Sequence, residues 1–287
     1  MRNSTSETMI HILLTGASGF VGRQIAKALL ARGHRLRLVL RPGGFARSGL
    51  PDGAGETVET ENLFAENTDW WAKTLTGIDA VVHAAWYVEP GKYLDSPLNI
   101  DCAMGSLAIA EGAVRAGVRK FVGVGTCFEY RLPNAAITET SEAGPVTLYA
   151  AAKLALYRML ARRFAGSGTA FAWARLFYLF GEGEHPARLF PTLHRKLSAG
   201  EPMLLSSGDK IRDFLDVAEA GRLIAALAET GQTGIANICS GRPVTIRQIA
   251  EDIADLHGRR DLLSFGTATV HPRDPAAVAG TCNVKPT

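Results

Sequence analysis

An apolar run at residues 9–14 passes directly into a glycine-rich turn, residues 15–22, with the sequence Thr-Gly-Ala-Ser-Gly-Phe-Val-Gly. Residues 20–31 follow with helical periodicity, and Gly33 stands just past them, where helices commonly end. A short buried strand that enters a helix through glycines leaves unpaired N–H groups at the helix N-terminus, where a pyrophosphate can bind. This segment therefore predicts the first βα unit of an α/β fold.

The glycines of this turn are spaced G-x-x-G-x-x-G, whereas the common dinucleotide fingerprint is G-x-G-x-x-G. Taken alone, the turn is also compatible with an ordinary strand-to-helix connection that binds nothing. Its position at the start of an alternating α/β pattern favours a dinucleotide site. The predicted cofactor contacts in the turn are Gly16, Ser18, Gly19, Phe20, Val21 and Gly22.

Strand-like and helix-like segments alternate along most of the chain. The predicted strands cover residues 10–14, 36–40, 58–60, 80–84, 120–124, 170–177 and 235–239. The predicted helices cover residues 20–31, 69–75, 100–116, 146–164, 217–229 and 246–257. This alternation predicts a Rossmann-type, doubly wound parallel sheet covered on both faces.

The rhythm changes after Gly181, where residues 182–191 form a charged, proline-containing loop that could close over a substrate. We therefore predict two units. A dinucleotide-binding domain covers residues 1–180 and is rejoined near 212–240. A smaller substrate-binding lobe, towards the C-terminus, covers residues 181–211 and 241–287.

A second motif, Tyr149-Ala-Ala-Ala-Lys153, places a phenol and an ammonium on one helix face, because residues four apart lie on the same side. The unperturbed pKa of tyrosine is about 10. A nearby lysine and the positive charge of an oxidised nicotinamide would each lower that pKa by about 1–3 units. Tyr149 could then exchange a proton with a substrate oxygen.

Thr126 follows the predicted strand 120–124 and so lies at its C-terminal end, where ligands bind in open α/β sheets. Its hydroxyl could hold the substrate oxygen in line with the phenol. A Tyr-x-x-x-Lys pair by itself is common as a packed tyrosine beside a solvated lysine. In this order after a dinucleotide turn, it predicts Thr126, Tyr149 and Lys153 as catalytic residues, the last two also touching the cofactor.

Combined in this order, the motifs resemble the extended short-chain dehydrogenases/reductases, in the branch of NAD(P)-dependent nucleotide-sugar epimerases, dehydratases and reductases. The likeness covers nearly the whole length. It is carried by residues 15–22, 81–85, 124–130, 149–153, 175–181 and 212–214. It implies hydride transfer between nicotinamide C4 and a sugar carbon, with either net reduction of a 4-keto sugar or epimerisation at C4.

The end of the second predicted strand bears on the choice between NADP and NAD. An NAD-preferring enzyme usually places an acid there, but this chain has Arg41, which would attract a 2′-phosphate and favours NADP. A surface arginine that begins the turn at Pro42 is the alternative. The resemblance implies that Asn62 and Leu63 contact the adenine. It also implies further cofactor contacts at Ala84 and Ala85.

Departures from the family pattern narrow the chemistry. The family's 4,6-dehydratases place an acidic pair directly after the catalytic threonine, and here Cys127 and Phe128 stand there, which argues against dehydration. Tyr178 replaces the usual asparagine, which weakens one expected diphosphate contact. Arg212 matches the family arginine that grips the diphosphate, and Arg273 could act similarly. The predicted substrate contacts are Thr126, Cys127, Phe128, Tyr178, Arg212 and Arg273.

Four other polar residues near these motifs are open to two interpretations. Glu129 is expected to be a structural partner at the strand end rather than a substrate contact. His83 is expected to be packed rather than catalytic. His185 and Arg188 fall in the predicted loop, where each is either solvated or in contact with the substrate.

Composition limits the other possibilities for this 287-residue chain. A net charge of +3, scattered along the sequence, does not predict nucleic-acid binding. The four cysteines have neither C-x-x-C nor metal-ligand spacing, so we expect reduced thiols and no metal site. No apolar run is long enough for a signal peptide or a membrane span, so we expect a cytoplasmic protein without a membrane partner.

Three hypotheses remain open at this point. The preferred one is an oxidoreductase of nucleotide-linked sugars, and the second is a reductase of a small aldehyde or ketone without a nucleotide. The third is a protein that senses NADP and catalyses nothing. The apolar helices 100–116 and 146–164, together with the resemblance, predict a homodimer.

Overall fold

The computed structural model describes residues 9–268 and 273–284. The strands are β1 (His11–Thr15), β2 (Arg35–Leu40), β3 (Glu56–Glu59), β4 (Ala80–His83), β5 (Lys120–Thr126), β6 (Asn134–Ile137), β7 (Ala170–Leu176), β8 (Tyr178–Phe180), β9 (Met203–Leu204), β10 (Ile211–Asp216), β11 (Gly234–Ile238), β12 (Pro243–Thr245), β13 (Leu263–Ser264) and β14 (Ala277–Gly280). The helices are α1 (Phe20–Ala31), α2 (Gly44–Ser48), α3 (Thr68–Thr74), α4 (Leu98–Arg115), α5 (Leu148–Phe164), α6 (Leu189–Ser198), α7 (Val217–Glu229) and α8 (Ile246–His257).

Seven parallel strands form the central sheet, in the order β3-β2-β1-β4-β5-β7-β11. The chain therefore winds outwards in one direction from β1 and then in the other from β4. This is the strand order of a doubly wound fold, in which ligands bind at the carboxyl ends of the strands beside the reversal point. The predicted fold class is confirmed, and the reversal point lies between β1 and β4.

The alternation of side chains along β1 explains why both faces of the sheet are covered. Ile12 and Leu14 pack into the layer that contains α1 and α7, whereas Leu13 packs into the opposite layer with side chains of α3, α4 and α5. All three side chains are fully buried. Burial of one such side chain contributes about 1.5–3 kcal/mol, so each layer is a substantial hydrophobic core.

A second, smaller sheet joins segments that are far apart in the sequence. Its order is β12-β10-β14-β6, and β8 also pairs with β10. Helices α6 and α8 pack together beside it through their own apolar cluster. The division into residues 1–180 with 212–240 and residues 181–211 with 241–287 stays a prediction. Within it, α7 and β11 pack in the large sheet's layers, while β10 and β6 belong to the small sheet.

The bounds of the predicted helices follow local signals, whereas helices α2 and α6 were not predicted. Helices α1, α7 and α8 have the predicted bounds, and Asp216 and Thr245 cap α7 and α8 by accepting from Ala218 N and Gln248 N at 2.7 and 3.0 Å. The expected loop at 182–191 instead overlaps the start of α6. Pro191 falls in the first turn, where a missing N–H removes no helical hydrogen bond.

No helix within residues 9–268 and 273–284 is long and apolar enough to cross a lipid bilayer.

Candidate active site

A cavity of 1210 Å³ lies along the carboxyl ends of the central strands and extends from the glycine turn to Tyr149. Pockets for single small ligands commonly measure about 300–1000 Å³, so this one has room for a dinucleotide and a second reactant. Most residues predicted from the sequence line it. They are Gly16, Ser18, Gly19, Phe20, Val21, Gly22, Arg41, Asn62, Leu63, Ala84, Ala85, Thr126, Cys127, Phe128, Tyr149, Lys153 and Tyr178.

Two of the turn's glycines are required by close backbone packing. A Cβ on Gly22 would lie 2.0 Å from the Gly16 carbonyl oxygen, and one on Gly16 would lie 2.8 Å from the Ala85 nitrogen. Gly16 also has φ +80°, a conformation that favours glycine. Helix α1 begins at this turn with neither a side-chain cap nor an acidic first-turn residue. Its positive end is therefore available to an anion.

The three predicted catalytic side chains come together at the other end of the cavity. Helix α5 begins after Thr147, whose hydroxyl accepts from Ala150 N at 3.2 Å, and so presents Tyr149 and Lys153 in its first two turns. Tyr149 lies beside Thr126 at the end of β5, close enough for the Thr126 hydroxyl to lower its pKa. The Lys153 ammonium donates to the Val124 carbonyl at 2.6 Å. The phenol and the hydroxyl thus share one position in the cavity.

The protonation of this pair differs from the expectation. Burial raises the pKa of Tyr149, and the neighbouring Tyr93 adds to the rise, whereas the hydrogen bond with Thr126 lowers it. Burial also lowers the pKa of Lys153 to about 7. The prediction that Lys153 lowers the pKa of Tyr149 is therefore not what this structure shows. Both groups have lost water, and that loss penalises the phenolate and the ammonium alike.

The end of the cavity beside β2 carries the residues that bear on cofactor choice. Arg41 lies exposed just after β2. Glu61 lines the same region, and Asn62 accepts from Phe64 N at 3.1 Å through its side-chain oxygen. An exposed guanidinium at this position is compatible with a 2′-phosphate, and an acid nearby is compatible with a ribose diol.

Glu129 supports the strand end that carries Thr126. It is fully buried, and its carboxylate accepts from Thr126 N at 2.9 Å, from Arg175 Nε at 2.8 Å and from Trp173 Nε1 at 3.0 Å. A Cβ on Gly125 would lie 2.4 Å from this carboxylate, so glycine is needed there. The expectation of a structural partner is confirmed.

His83 is a second buried polar residue, and each of its ring nitrogens has a hydrogen-bond partner. Its Nδ1 lies 2.8 Å from Thr15 Oγ1, and its Nε2 lies 2.8 Å from Ser106 Oγ. Burial lowers the pKa of His83 to about 3, so the ring stays neutral. The expectation of a packed histidine is confirmed.

Cys127 and Phe128 form the wall beside Thr126. Burial raises the pKa of the Cys127 thiol to about 12, so it is neutral at physiological pH. The Phe128 ring lies edge-on to Tyr178, with the ring centroids 6.0 Å apart. Neither residue at the positions of the dehydratases' acidic pair supplies a carboxyl group.

Arg212 lies in a second cavity of 340 Å³, which shares Tyr178, Glu184 and Arg188 with the first. The Arg212 side chain is buried, donates to Asp274 at 2.5 Å and lies over the Tyr178 ring at 5.0 Å. Asp274 also pairs with Lys210 at 2.5 Å, so two cations share this carboxylate and the cluster keeps a net positive charge.

Arg273 is placed differently from the expectation of a substrate contact. Among the described residues it belongs to the lining of neither cavity. Its guanidinium pairs with Asp95 at 2.7 Å on the surface, and both side chains are about half exposed. An exposed ion pair of this kind contributes little free energy to the fold.

The residues that line or border the cavities and that sequence reasoning missed include Trp86, Tyr93, Asn99 and Glu184. Trp86 directly follows Ala85 after β4, so its position at a strand end was a usable signal. Glu184 lies in the loop before α6 with its side chain only 4% exposed, whereas its neighbour His185 is exposed and lines the main cavity. Burial raises the pKa of Glu184, and Arg188 opposes the rise.

The chain is similar to known proteins in both sequence and structure. Residues 12–239 match the NAD dependent epimerase/dehydratase family. The chain is 24% identical to dTDP-6-deoxy-L-talose 4-dehydrogenase (NAD(+)) of Aggregatibacter actinomycetemcomitans, over 94% of this chain and 99% of the relative. It is 25% identical to UDP-glucose 4-epimerase of Streptomyces lividans, over 95% of this chain and 89% of the relative. The solved structure of MoeE5 in complex with UDP-glucuronic acid and NAD superimposes with a TM-score of 0.78 at 26% identity, covering 95% of this chain and 90% of that one.

Proposed function

The chain belongs to the NAD dependent epimerase/dehydratase family, and we propose that it moves a hydride between a nicotinamide cofactor and a carbon of a nucleotide-linked sugar. Its relatives include nucleotide-sugar dehydrogenases and epimerases, and MoeE5, which resembles it in structure, binds NAD and a nucleotide sugar. The observation that carries the proposal is that Tyr149, Thr126 and Lys153 lie together at one end of a cavity whose other end is the glycine turn.

The residues present fit a dinucleotide. The turn excludes any side chain at Gly16 and Gly22, which lets the backbone come close to a pyrophosphate, and the uncapped end of α1 suits its charge. Ala84 and Ala85 line the cavity beside the turn. When bound, the cofactor supplies or accepts the hydride at nicotinamide C4.

The chain's own residues handle the oxygen and its proton. Tyr149 Oη transfers the proton to or from the reacting oxygen, and Thr126 Oγ1 orients that oxygen in line with the phenol. We propose that Lys153, in its protonated form, partly offsets the rise in the pKa of Tyr149 that burial causes, because an ammonium favours the phenolate as the proton leaves. Glu129 keeps the Thr126 backbone in place.

We propose that the reacting carbon is C4 of the sugar, with either net reduction of a 4-keto sugar or epimerisation. The neutral residues Cys127 and Phe128 support a reaction without loss of water. The two outcomes differ in whether the keto intermediate leaves or rotates in the site. A 4-keto sugar reductase would consume reduced cofactor, whereas an epimerase would invert C4 with no net change in cofactor.

The test is turnover with UDP- and dTDP-linked sugars and their 4-keto forms, followed by nicotinamide absorbance and by chromatography of the products. Replacement of Tyr149 by Phe removes the proton carrier and should abolish both signals. Unchanged turnover in that variant would overturn the proposed role of Tyr149. Absence of turnover by the wild type with all of these sugars would overturn the proposed function and leave the cofactor-sensing hypothesis in place.

We propose NADP as the preferred cofactor, although the family is NAD-dependent and MoeE5 binds NAD. The support is Arg41, an exposed guanidinium at the end of β2 where a 2′-phosphate would lie. Titration of the protein with NADP and NAD measures the preference directly. Equal or tighter binding of NAD would overturn it.

One observation supports the second candidate, a reductase of a small ketone or aldehyde. Arg212 is paired with Asp274 and lies in the side cavity rather than in the main one. A substrate without a diphosphate would leave that ion pair undisturbed. Competition by UDP or dTDP against turnover separates the two, because only a nucleotide-linked substrate shares its site with these diphosphates.

We propose that the chain forms a homodimer through α4 and α5. The apolar side chains of Leu98, Ile100 and Met104 on α4 and of Met159 on α5 are 43–63% exposed. Light scattering after size exclusion measures the mass, and Ile100→Glu should convert a dimer to a monomer. A monomeric wild type would contradict this assembly.

A further inference from the structure

The segment between β4 and α4 places two aromatic rings against the catalytic pair. The Tyr93 ring lies edge-on to the Tyr149 ring, with centroids 4.9 Å apart and planes at 86°. The Trp86 ring lies over the Lys153 ammonium, 3.7 Å from Nζ to the ring centroid. A cation is attracted to the face of an indole, and the attraction grows when water is excluded.

One buried amide holds this segment in place. Asn99, in the first turn of α4, is fully buried, and its Oδ1 accepts from Trp86 Nε1 at 2.8 Å. Its Nδ2 donates to the Tyr93 carbonyl at 2.6 Å and to the Ser96 carbonyl at 2.9 Å. Both ends of the segment are thus tied to a single side chain.

We propose that Asn99 and Trp86 are positioning residues for Lys153 and Tyr149, with Asn99 holding the indole that covers the ammonium. The catalytic role of these two residues rests on the proposed function, whereas their contacts with Lys153 and with each other do not depend on it. Lys153 Nζ is held between the Val124 carbonyl on one side and the Trp86 ring on the other. Water is therefore kept from the ammonium on the side of the indole.

Covering by the Trp86 ring affects the pH at which Lys153 loses its proton. An indole face compensates an ammonium less well than water does, so a covered lysine gives up its proton at lower pH than an exposed one. If the indole leaves, water enters and the amine regains its ordinary affinity for protons. Simple packing by Trp86 and Asn99 would instead affect stability and leave the titration of Lys153 unchanged.

Competitive labelling of the whole protein with trace acetic anhydride measures this titration without any substrate. The labelling rate of each lysine is followed by mass spectrometry from neutral to alkaline pH. Lys73, exposed on α3, is the internal reference. In the wild type we expect Lys153 to titrate well below Lys73 and to be labelled more slowly at its plateau.

Trp86→Ala should raise the midpoint of Lys153 by about one pH unit or more and increase its plateau labelling rate several-fold, because water reaches the amine. Asn99→Leu, of similar volume but without the three hydrogen bonds, should shift Lys153 in the same direction although Trp86 is still present. Trp86→Phe keeps a ring face but removes the donor to Asn99, and its shift should be intermediate.

Trp70→Phe is the matched control, since Trp70 packs against Trp71 on α3, away from the cavity. It should leave Lys153 labelling as in the wild type. Circular dichroism identifies variants that fold. If Asn99→Leu does not fold, the two Trp86 variants decide the question. Lys153 labelling equal to that of the wild type in the folded Trp86→Ala variant would overturn the proposal.

The outcome is separable from the fate of the proposed function. If the wild type turns over no nucleotide sugar, that function fails while the labelling still decides whether Asn99 and Trp86 position Lys153. If it does turn over, Trp86→Ala should lower kcat about 10- to 100-fold with little change in KM, as expected for a misplaced catalytic group.

Discussion

The two cavities differ in the partners that their buried titratable and charged side chains have. In the main cavity, Tyr149 and Lys153 are buried with neutral partners: a threonine hydroxyl, a backbone carbonyl and an indole face. In the side cavity, Arg212 is equally buried but is paired with the carboxylate of Asp274. Neutral partners leave a group free to change its protonation, whereas an ion pair holds a fixed charge. The first region is therefore suited to proton transfer and the second to static binding.

The largest expected effect tests the reactive side of this contrast. Tyr149→Phe should lower kcat about 100- to 10,000-fold, the range that positioned acid–base groups contribute, with the fold intact. Tyr157→Phe on the same helix is the control, because Tyr157 packs into the core beneath the sheet. Steady-state kinetics with the best substrate gives both values. Equal losses in the two variants would mean that the effect is not chemical.

Arg212→Gln tests whether the side cavity binds the diphosphate of a substrate. If the guanidinium binds a diphosphate, the variant should raise KM about 10- to 100-fold at nearly constant kcat, since a hydrogen bond to a charged group is worth about 1.5–3 kcal/mol. Arg242→Gln, at an exposed arginine between β11 and β12, is the matched control. A KM unaffected by loss of Arg212 would favour a substrate without a nucleotide.

The pH dependence of stability tests the burial of Lys153 in the main cavity. The pKa of Lys153 is lowered to about 7 in the folded chain, below its unfolded value, so the unfolded state binds more protons between about pH 7 and 10. The free energy of unfolding should therefore rise with pH across this window, by up to about 1.4 kcal/mol per pH unit, and the cost of burying the charge is fully present below pH 7.

Urea titrations at several pH values measure this slope. Lys153→Met should reduce it, while the contribution of Lys120, whose pKa burial lowers to about 8, should remain in both proteins. Identical slopes in wild type and variant would contradict the lowered pKa of Lys153.

The smallest effect is expected at Arg41, because its side chain is exposed and not buried in either cavity. Arg41→Ala should weaken NADP binding by roughly tenfold or less and leave NAD binding unchanged, because exposed charges are screened by water and salt. Titration at low and high salt gives the ratio. A parallel loss for both cofactors would show that Arg41 does not contact the 2′-phosphate.

Local signals predicted much of the fold and of the main cavity. The turn at residues 15–22, the helix pair Tyr149 and Lys153, and the caps Asp216 and Thr245 were all visible as short-range patterns. Because parallel strands present their carboxyl ends at one edge of the sheet, the alternation also indicated that Thr126 would lie near the turn.

Other features depended on contacts that no short window contains. The small sheet pairs β14 with β6 across about half of the chain, and weak, short strands give little periodic signal. Pro191 made the start of α6 resemble a loop. Arg273 was expected at the substrate but pairs with Asp95 on the surface.

By itself, the sequence determined the doubly wound layout and the positions from which the predicted catalytic side chains project, since both follow from local periodicity and spacing. Only the tertiary structure decided which charges are balanced and how the pKa values of Tyr149 and Lys153 shift. Those properties come from burial and from partners distant in the chain, such as Asp274 for Arg212 and Trp86 for Lys153. Desolvation is a property of the packed molecule, so no spacing of residues encodes it directly.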